Sequence, residues 1–395
     1  MTSYFQFSFK MSNIILIFIL CLISKTLQED EINYLSFSND LGLELTEETY
    51  TTKDNYINSV WILESKTNNF RNGRSIILQH GFLDAGWTWL VQGIKSVPYL
   101  LANEGYIVYI SHIRGTQFSH GHKKYSADNP ISDYWDFSFD EMAEYDLPAL
   151  LEFVKKRDGI EKVDYWGHSQ GTLMYFLAYM NDPEYMEKSI NKFAGVGTVP
   201  NLNNCPHPLI KLIDQLKLAE TFPLKNVLMF STEISKYIKS ACNGFAKDIC
   251  ISVLNVGLGK TGRIDYDKIL EVLPIYEPGG TSIQNCRHWI QMYREKKLRK
   301  YDYGSNVENL KHYGSTDAPL YDLSKMNGYS IPSFTTTSDA DPFCNPQDTL
   351  EFLQNIDNQD VFQVLSLQNY GHLDYIWTDD GYNEVLPRII EFFNK

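Results

Sequence analysis

Residues 166–172 read WGHSQGT, and this stretch decides the fold class of the chain. A β-like run at 162–166 precedes it and an apolar run at 173–180 follows, which predicts a strand, a sharp turn and a helix. The glycines of the G-x-S-x-G pattern permit close backbone approach on either side of Ser169, and the strained turn lifts its hydroxyl clear of the sheet. Ser169 is therefore a candidate nucleophile, and the N-terminus of the next helix can receive a developing oxyanion. A glycine-serine turn without chemistry is the alternative interpretation.

The rest of the chain continues the alternation of strands and helices. Strand-like runs recur, separated by helical patterns, at 75–79, 106–110, 193–197, 333–337 and 361–365, and a closing helix is predicted at 383–393. This pattern is typical of an α/β fold with a mostly parallel sheet and crossover helices. Between about residues 199 and 326 the alternation lapses. We therefore predict an inserted cap over the carboxyl ends of the strands.

Two local patterns add detail. Residues 33–63 alternate polar and apolar side chains around a turn at 53–55, which predicts an antiparallel β-ribbon. Ser138 and Glu141 form a capping-box pattern that begins a helix, and Pro148 should kink that helix. We interpret this helix as structural.

Composition excludes some classes of partner. With 395 residues, of which 43% are hydrophobic, the chain can bury a large core in a domain of residues 29–395. The formal net charge of -14 argues against nucleic acid and against electrostatic attachment to anionic lipid, because both need excess Lys and Arg. Any contact with lipid would have to be apolar.

The N-terminus has the pattern of a secretory signal peptide. Lys10 precedes an apolar run at 14–23 that is too short to span a bilayer comfortably, and small and then acidic residues follow. We expect residues 1–28 to be removed by cleavage at about 24–28, whether Met1 or Met11 is the start. A membrane anchor is the alternative. The mature chain is predicted to carry no transmembrane segment and to be lumenal or secreted.

The six cysteines do not suggest a metal site. Cleavage would remove Cys21 and leave five, so at least one thiol should be unpaired or joined to another chain. No C-x-x-C spacing occurs, and a structural zinc site is therefore not expected.

A nucleophilic serine needs a base, and the base needs an acid to orient it. In an α/β-hydrolase these groups follow the serine in the order acid, then histidine. Four histidines lie beyond Ser169, at positions 207, 288, 312 and 372. Only His372 lies outside the predicted cap, in a loop just past a strand-like run, so it is the candidate base.

Two carboxylates are candidates for the acid. Asp339 and Asp341 both follow the predicted strand 333–337, and spacing does not separate them. One of them could instead cap the turn beside Pro342.

The oxyanion hole requires a second backbone N–H from the loop after an early strand. Residues 79–83, QHGFL, lie in that position, with Gly81 allowing close approach. Phe82 and Gln170 would then donate through their main chain, which leaves their side chains free to shape the pocket.

Several motifs in order now resemble one family. They are LQHGFL at 78–83, FSFDEM at 137–142, GHSQG at 167–171 and GHLD at 371–374. Together they resemble the acid lipase family, which includes the gastric and lysosomal acid lipases. The resemblance implies an α/β-hydrolase fold with a cap, no metal or organic cofactor, and hydrolysis of triacylglycerols or steryl esters at low pH. It also implies a secreted protein, or one in the lumen of a lysosome or digestive vacuole.

The family's functional residues carry over to this sequence by motif. Ser169 is implied as nucleophile, His372 as base, and Phe82 and Gln170 as the oxyanion hole. The family's acid precedes an Asx-Pro-Gln-Asp string, here residues 345–348, and this implies Asp341 rather than Asp339.

The sequence departs from the family in places. Phe82 replaces the usual leucine and could narrow the acyl pocket, and Asp339 could raise the pKa of Asp341 by like-charge repulsion. The family's cap disulfide implies Cys242 and Cys250 as a pair.

Two alternatives stay open: an esterase for small soluble esters, and a catalytically silent lipid-binding relative. The cap separates lipase from esterase, because a lipase exposes apolar surface near its site. Candidates for that surface are Phe222, Leu224, Val227, Leu228, Met229 and Phe230, although a buried helix would also explain them.

Overall fold

The computed structural model describes residues 33–68, 70–228 and 232–395. The predicted signal peptide, residues 1–28, lies outside the described residues, as do Met229 and Phe230. Within the described ranges, no helix has the length and apolar character needed to cross a membrane.

A nine-stranded sheet forms the centre of the molecule. Its strands are β1 (Leu43–Thr51), β2 (Tyr56–Ser65), β3 (Ser75–Gln79), β4 (Ile107–Ser111), β5 (Gly121–His122), β6 (Val163–His168), β7 (Ile190–Val196), β10 (Ser333–Ser338) and β11 (Phe362–Leu367). The strand order is β1-β2-β4-β3-β6-β7-β10-β11, with β5 paired to β2. From β4 to β11 all neighbours are parallel, and β1 and β2 form an antiparallel edge. The predicted α/β class is confirmed.

Sixteen α-helical segments of the described chain accompany the sheet. They are α1 (Tyr34–Asp40), α2 (Val97–Asn103), α3 (Phe139–Glu141), α4 (Leu147–Asp158), α5 (Gln170–Asn181), α6 (Pro183–Ser189), α7 (Pro208–Gln215), α8 (Leu218–Thr221), α9 (Thr232–Asn243), α10 (Lys247–Leu258), α11 (Tyr266–Val272), α12 (Ile283–Glu295), α13 (Asn306–Tyr313), α14 (Pro346–Leu353), α15 (Asp374–Trp377) and α16 (Leu386–Asn394).

Helices cover both faces of the sheet, which explains why its inner strands are apolar on both sides. Successive side chains of a strand point to opposite faces. In β4, Tyr109 accordingly packs in one hydrophobic cluster, whereas Val108 and Ile110 pack in the other. Ile77 and Leu78 of β3 divide in the same way.

Strand register sets the position of the candidate site. Gln79, the last residue of β3, pairs with Gly167 of β6, and Gly167 pairs with Gly195 of β7. Parallel strands in this register end at one edge of the sheet. The loops after β3 and β6 therefore lie side by side.

Two local expectations need correction. The β-ribbon prediction was wrong before residue 41, because Asn33 caps α1 by accepting a hydrogen bond from the Leu35 N–H. In α1, Tyr34 stacks on Trp61 of β2 with ring centroids 4.4 Å apart. The ribbon itself consists of β1 and β2, joined at 52–55.

The helix that begins at Ser138 has the expected capping box but is not one continuous α-helix. A π-helical turn, Met142–Asp146, separates α3 from α4. Pro148 has no N–H to donate and its ring crowds the carbonyl four residues back, so the wider turn accommodates it.

Between β7 and β10 the chain leaves the sheet for residues 197–332, which we call the inserted segment. It contains the range 199–326 predicted as a cap, helices α7 to α13, and a small antiparallel pair, β8 (Asn226–Val227) with β9 (Thr281–Ser282). A disulfide joins Cys242 of α9 to Cys250 of α10, with their Cα atoms 5.7 Å apart. The described free cysteines are Cys205, Cys286 and Cys344.

Candidate active site

Ser169 occupies the sharp turn between β6 and α5. Its backbone has φ 52° and ψ −120°, a left-handed conformation that is strained for any residue with a Cβ. The flanking glycines are required by close packing. A Cβ on Gly167 would lie 2.9 Å from the backbone of Gly171, and a Cβ on Gly171 would lie 2.6 Å from the carbonyl oxygen of Gln79. The turn therefore fixes Ser169 at the carboxyl edge of the sheet.

A continuous chain of hydrogen bonds runs from Ser169 through His372 to Asp341. Ser169 Oγ is 2.7 Å from His372 Nε2, and His372 Nδ1 is 3.0 Å from each carboxylate oxygen of Asp341. All three side chains are buried. With Nδ1–H donating to Asp341, Nε2 is free to accept the serine proton.

Asp341 is held in its ionised form. Its Oδ1 accepts hydrogen bonds from the N–H groups of Phe343 (2.9 Å) and Cys344 (3.0 Å), and its Oδ2 accepts one from the Tyr375 hydroxyl (3.2 Å). Burial alone would raise the pKa of Asp341, but His372 and these hydrogen bonds outweigh burial and lower the pKa below its usual value.

Asp339, the other candidate for the acid, has different surroundings from Asp341. It is exposed, and its Oδ1 accepts a hydrogen bond of 2.7 Å from the Asn369 N–H. The two aspartates that spacing alone left open thus have different partners.

Phe82 and Gln170 both lie close to Ser169 in the structure. Phe82 follows Gly81, where an added Cβ would be 3.0 Å from the Cβ of Ser169. Gln170 is the first residue of α5. In the part of the chain that the structure describes, neither N–H meets a hydrogen-bond acceptor. Both are available to a developing oxyanion.

The side chain of Gln170 is not free, contrary to the prediction. It is buried, and its Oε1 accepts hydrogen bonds from Trp289 Nε1 (2.7 Å) and Asn285 Nδ2 (2.9 Å). Its Nε2 donates to the sulfur of Met142 at 3.3 Å. Sequence reasoning missed Asn285 and Trp289, because both lie in the inserted segment and no local motif marks them.

The inserted segment also supports the histidine loop. The backbone N–H of His372 donates to the carbonyl oxygen of Leu258, at the end of α10, over 2.7 Å. Asp374 accepts hydrogen bonds from the Gly371 N–H (2.7 Å) and the Thr261 hydroxyl (2.6 Å). Residues from outside the sheet therefore fix the position of His372, the candidate base.

One group of side chains in the described ranges brings three potential metal-ligand atoms within 4.8 Å, namely Asp341, Cys344 and His372. Their chemistry does not favour a metal. A cysteine binds metal as the thiolate, whereas burial raises the pKa of Cys344 well above its usual value. Asp341 and His372 Nδ1 already satisfy each other.

A second polar cluster lies behind the loop that carries Phe82. Asp84 and Glu277 both accept a hydrogen bond from the Ala85 N–H, each at 3.0 Å, and Asp84 also accepts one from Gly81 at 3.4 Å. Burial raises the pKa of Asp84 to about 6, and burial and Asp84 raise that of Glu277 well above its usual value. The raised pKa values favour a proton held by this pair above the pH at which an exposed carboxyl group would lose it.

His168 lies between this cluster and the base. Its Nε2–H donates to the His372 carbonyl oxygen at 2.9 Å, and its Nδ1 lies 3.9 Å from Asp84. Burial lowers the pKa of His168 to about 3, so the ring is neutral.

Comparisons with known proteins agree with the fold. Residues 74–227 match the family model described as alpha/beta hydrolase fold. Among solved structures, a soluble variant of monoglyceride lipase from Saccharomyces cerevisiae has a TM-score of 0.56 at 14% identity, over 89% of this chain and 94% of that one. A 2-hydroxy-6-oxo-6-phenylhexa-2,4-dienoate hydrolase from Rhodococcus sp. strain RHA1 has a TM-score of 0.51 at 12% identity, over 89% and 100%.

Relatives found by sequence share more identical residues with this chain than these solved structures do. The chain is 33% identical to the gastric triacylglycerol lipase of Bos taurus, over 86% of this chain and 85% of that protein. It is 30% identical to the gastric triacylglycerol lipase of Homo sapiens, over 87% and 86%. It is 31% identical to the lysosomal acid lipase/cholesteryl ester hydrolase of Homo sapiens, over 81% and 79%.

The sheet, its order and these relatives define an α/β-hydrolase that acts on carboxylic esters. Within that class, the chain belongs to the acid lipase family. The resemblance predicted from the sequence motifs is confirmed.

The Asp84–Glu277 pair predicts a pH-dependent stability. Both folded pKa values lie above the unfolded ones, so the pair's contribution to stability is fully present below about pH 4 and falls as pH rises, through about 6 for Asp84. In the Glu277→Gln variant the side chain is neutral at every pH, so folding does not require it to bind a proton. Its free energy of unfolding should exceed that of wild type near pH 7.5, and the difference should disappear near pH 4. Urea denaturation followed by tryptophan fluorescence measures both values.

Glu44→Gln is the matched control, because Glu44 is exposed on β1. Its effect should be the same at both pH values. A pH-independent effect of Glu277→Gln would contradict proton sharing by the pair.

Proposed function

We propose that this chain hydrolyses esters of neutral lipids, triacylglycerols or steryl esters, through an acyl-enzyme on Ser169. The observation that carries the proposal is the hydrogen-bonded chain Ser169–His372–Asp341, with spacings of 2.7 and 3.0 Å, in a protein whose relatives are named as lipases. The proposed substrate class follows the names of those relatives, gastric triacylglycerol lipase and lysosomal acid lipase/cholesteryl ester hydrolase.

In the proposed mechanism, His372 Nε2 takes the proton of Ser169 while Oγ attacks the ester carbonyl carbon. The carbonyl oxygen becomes an oxyanion that accepts hydrogen bonds from the Phe82 and Gln170 N–H groups, at the positive end of α5. Asp341 stabilises the imidazolium that forms. The intermediate collapses, the C–O bond to the alcohol breaks, and His372 returns the proton to the leaving alcohol. Water, with His372 again as base, releases the acid and restores Ser169.

The inserted segment is proposed as the cap that meets the lipid. Large apolar side chains are exposed along it, at Leu209, Leu216, Leu218, Phe222, Leu224, Phe245, Val253 and Val256. Phe222 and Leu224 are among the residues that the sequence suggested for a lipid-facing surface. Exposed apolar area of this kind supports contact with an apolar interface. The net charge of -14 would not attract the protein to anionic lipid, so contact with lipid would depend on this apolar area.

Export is proposed as well, with residues 1–28 removed and the mature chain secreted or held in a lysosomal or digestive-vacuole lumen. The apolar run at 14–23 after Lys10 supports this. So does the Cys242–Cys250 disulfide, since disulfides persist in oxidising compartments.

Ser169 should be the site of acylation. A serine-directed phosphonate is expected to label Ser169, and Ser169→Ala should lower kcat by a factor of about 10⁴ or more while the protein stays folded. The assay uses emulsified triolein, emulsified cholesteryl oleate and p-nitrophenyl acetate across a range of pH. If the protein hydrolyses p-nitrophenyl acetate but neither emulsion, it is an esterase for small soluble esters and not a lipase. If the phosphonate labels another residue, the proposed acyl-enzyme on Ser169 is wrong.

Substitutions of Asp341 and Asp339 should differ sharply in their effect on kcat. Asp341→Asn should reduce kcat by roughly 10⁴, because a neutral amide does not hold His372 in the tautomer that accepts the serine proton. Asp339→Asn is the control and should cost little, since Asp339 is exposed and accepts a hydrogen bond from the Asn369 N–H, away from His372 Nδ1. Steady-state kinetics measures kcat for both variants, and circular dichroism checks that neither has unfolded. An active Asp341→Asn with an inactive Asp339→Asn would reverse the assignment.

The mature N-terminus should lie near residues 25–29. Mass spectrometry of the protein recovered from its natural compartment gives the mass directly. An intact Met1 or Met11 would instead favour a retained anchor.

A further inference from the structure

The Gln170 side chain is the point at which the inserted segment reaches the proposed oxyanion hole. Its three hydrogen-bonding partners are Asn285 and Trp289 of α12 and Met142 of the π-helical turn. The Gln170 and Asn285 side chains are fully buried and Trp289 is nearly so. The carbonyl oxygen of the amide accepts two hydrogen bonds, which uses both of its lone pairs. A side chain held in this way has one orientation.

We propose that Asn285 and Trp289 are positioning residues, which fix the oxyanion hole from within the inserted segment. The inference rests on the proposed function, because it requires that the Gln170 N–H stabilises the oxyanion. Neither residue touches the reacting atoms. They act by holding Gln170 and, for Trp289, also Phe82.

Asn285 is itself fixed from several sides. Its Oδ1 accepts a hydrogen bond of 3.0 Å from the Phe139 N–H, and its Nδ2 donates to the Thr281 hydroxyl at 3.1 Å as well as to Gln170. Since Phe139 offers only a donor, the oxygen of Asn285 must face Phe139 and its NH₂ must face Gln170. Asn285 therefore presents a donor of fixed direction to Gln170.

Trp289 lies one helical turn after Asn285 and on the same face of α12. Its indole N–H donates to Gln170, and its ring centroid is 5.9 Å from that of Phe82 and 5.4 Å from that of Phe139. One indole thus contacts both residues whose N–H groups form the proposed hole. The two donors come from loops after β3 and β6, and Trp289 bridges them.

The physical consequence concerns the direction of a backbone N–H. Gln170 follows the strained Ser169 and begins α5, where no preceding helical turn holds its backbone. If its side chain loses one of two buried donors, the peptide gains freedom to tilt. Stabilisation of an oxyanion depends on donors that are already in place, and small misplacements reduce rates by about a hundredfold.

The principal variant is Trp289→Phe, which removes the indole N–H and keeps an aromatic ring against Phe82. We expect kcat to fall about 10- to 100-fold, with KM changed by less than about threefold, because the lost interaction acts in the transition state. The inhibition constant of a trifluoromethyl ketone, which forms a tetrahedral adduct with the nucleophilic serine, should rise by the same factor.

Gln291→Met is the matched control on α12. Gln291 is buried and its amide bonds to Asp302 and Lys300, away from the site. This variant should lose stability by a similar amount but leave kcat and the inhibition constant near wild type.

A double-mutant cycle separates positioning from packing. Gln170→Leu removes the side-chain acceptor and keeps the backbone N–H, so it should reproduce the loss of kcat. If Trp289 acts through Gln170, adding Trp289→Phe to Gln170→Leu should cost nothing further. Additive losses would overturn the inference, as would wild-type kcat in Trp289→Phe.

The experiments distinguish failure of the proposed function from failure of this inference. If a phosphonate does not label Ser169 in the wild-type protein, the proposed function fails and this inference falls with it. If Ser169 is labelled but Trp289→Phe and Gln291→Met behave alike, only the inference fails. Should Trp289→Phe not fold, Asn285→Asp carries the same test, because it keeps the acceptor for Phe139 and loses the donor to Gln170.

Discussion

The strained turn at Ser169 is the constraint on which the rest of the site depends. The turn, with a φ of 52° at Ser169, needs glycine at positions 167 and 171, because a Cβ at either position would lie within about 3 Å of the backbone of a neighbouring element. A residue with a side chain at either glycine would push these elements apart. The parallel sheet, buried on both faces, supplies the rigid support that keeps the turn in a conformation an isolated chain would leave.

Around this turn, the site is assembled from distant parts of the chain. The loop of the proposed oxyanion hole follows β3, Ser169 follows β6, Asp341 follows β10 and His372 follows β11. These loops meet because parallel strands bring their carboxyl ends to one edge. The strand order and register therefore do more to define the candidate chemistry than any single side chain.

The inserted segment takes part in the site as well as lying beside it. Leu258 accepts a hydrogen bond from the backbone of His372, Glu277 shares a backbone donor with Asp84, and Trp289 contacts Gln170. These contacts separately support the candidate base, the loop that carries Phe82 and the turn at Ser169. A change in the position of this segment would therefore alter the machinery itself, and the buried polar groups involved make such a change costly.

The sequence by itself determined the α/β class, and it predicted the turn at Ser169, the order of the candidate groups and the candidate base, because these follow from short patterns along the chain. It left Asp339 and Asp341 open until a family resemblance favoured one, and it missed α1, the π-helical turn and the partners of Gln170. The partners of Gln170 and Ala85 depend on tertiary structure. Trp289 lies 119 residues from Gln170, and Glu277 lies 192 residues from Ala85. Hydrogen bonds over such separations leave no local periodicity, since they depend on how the inserted segment packs against the sheet.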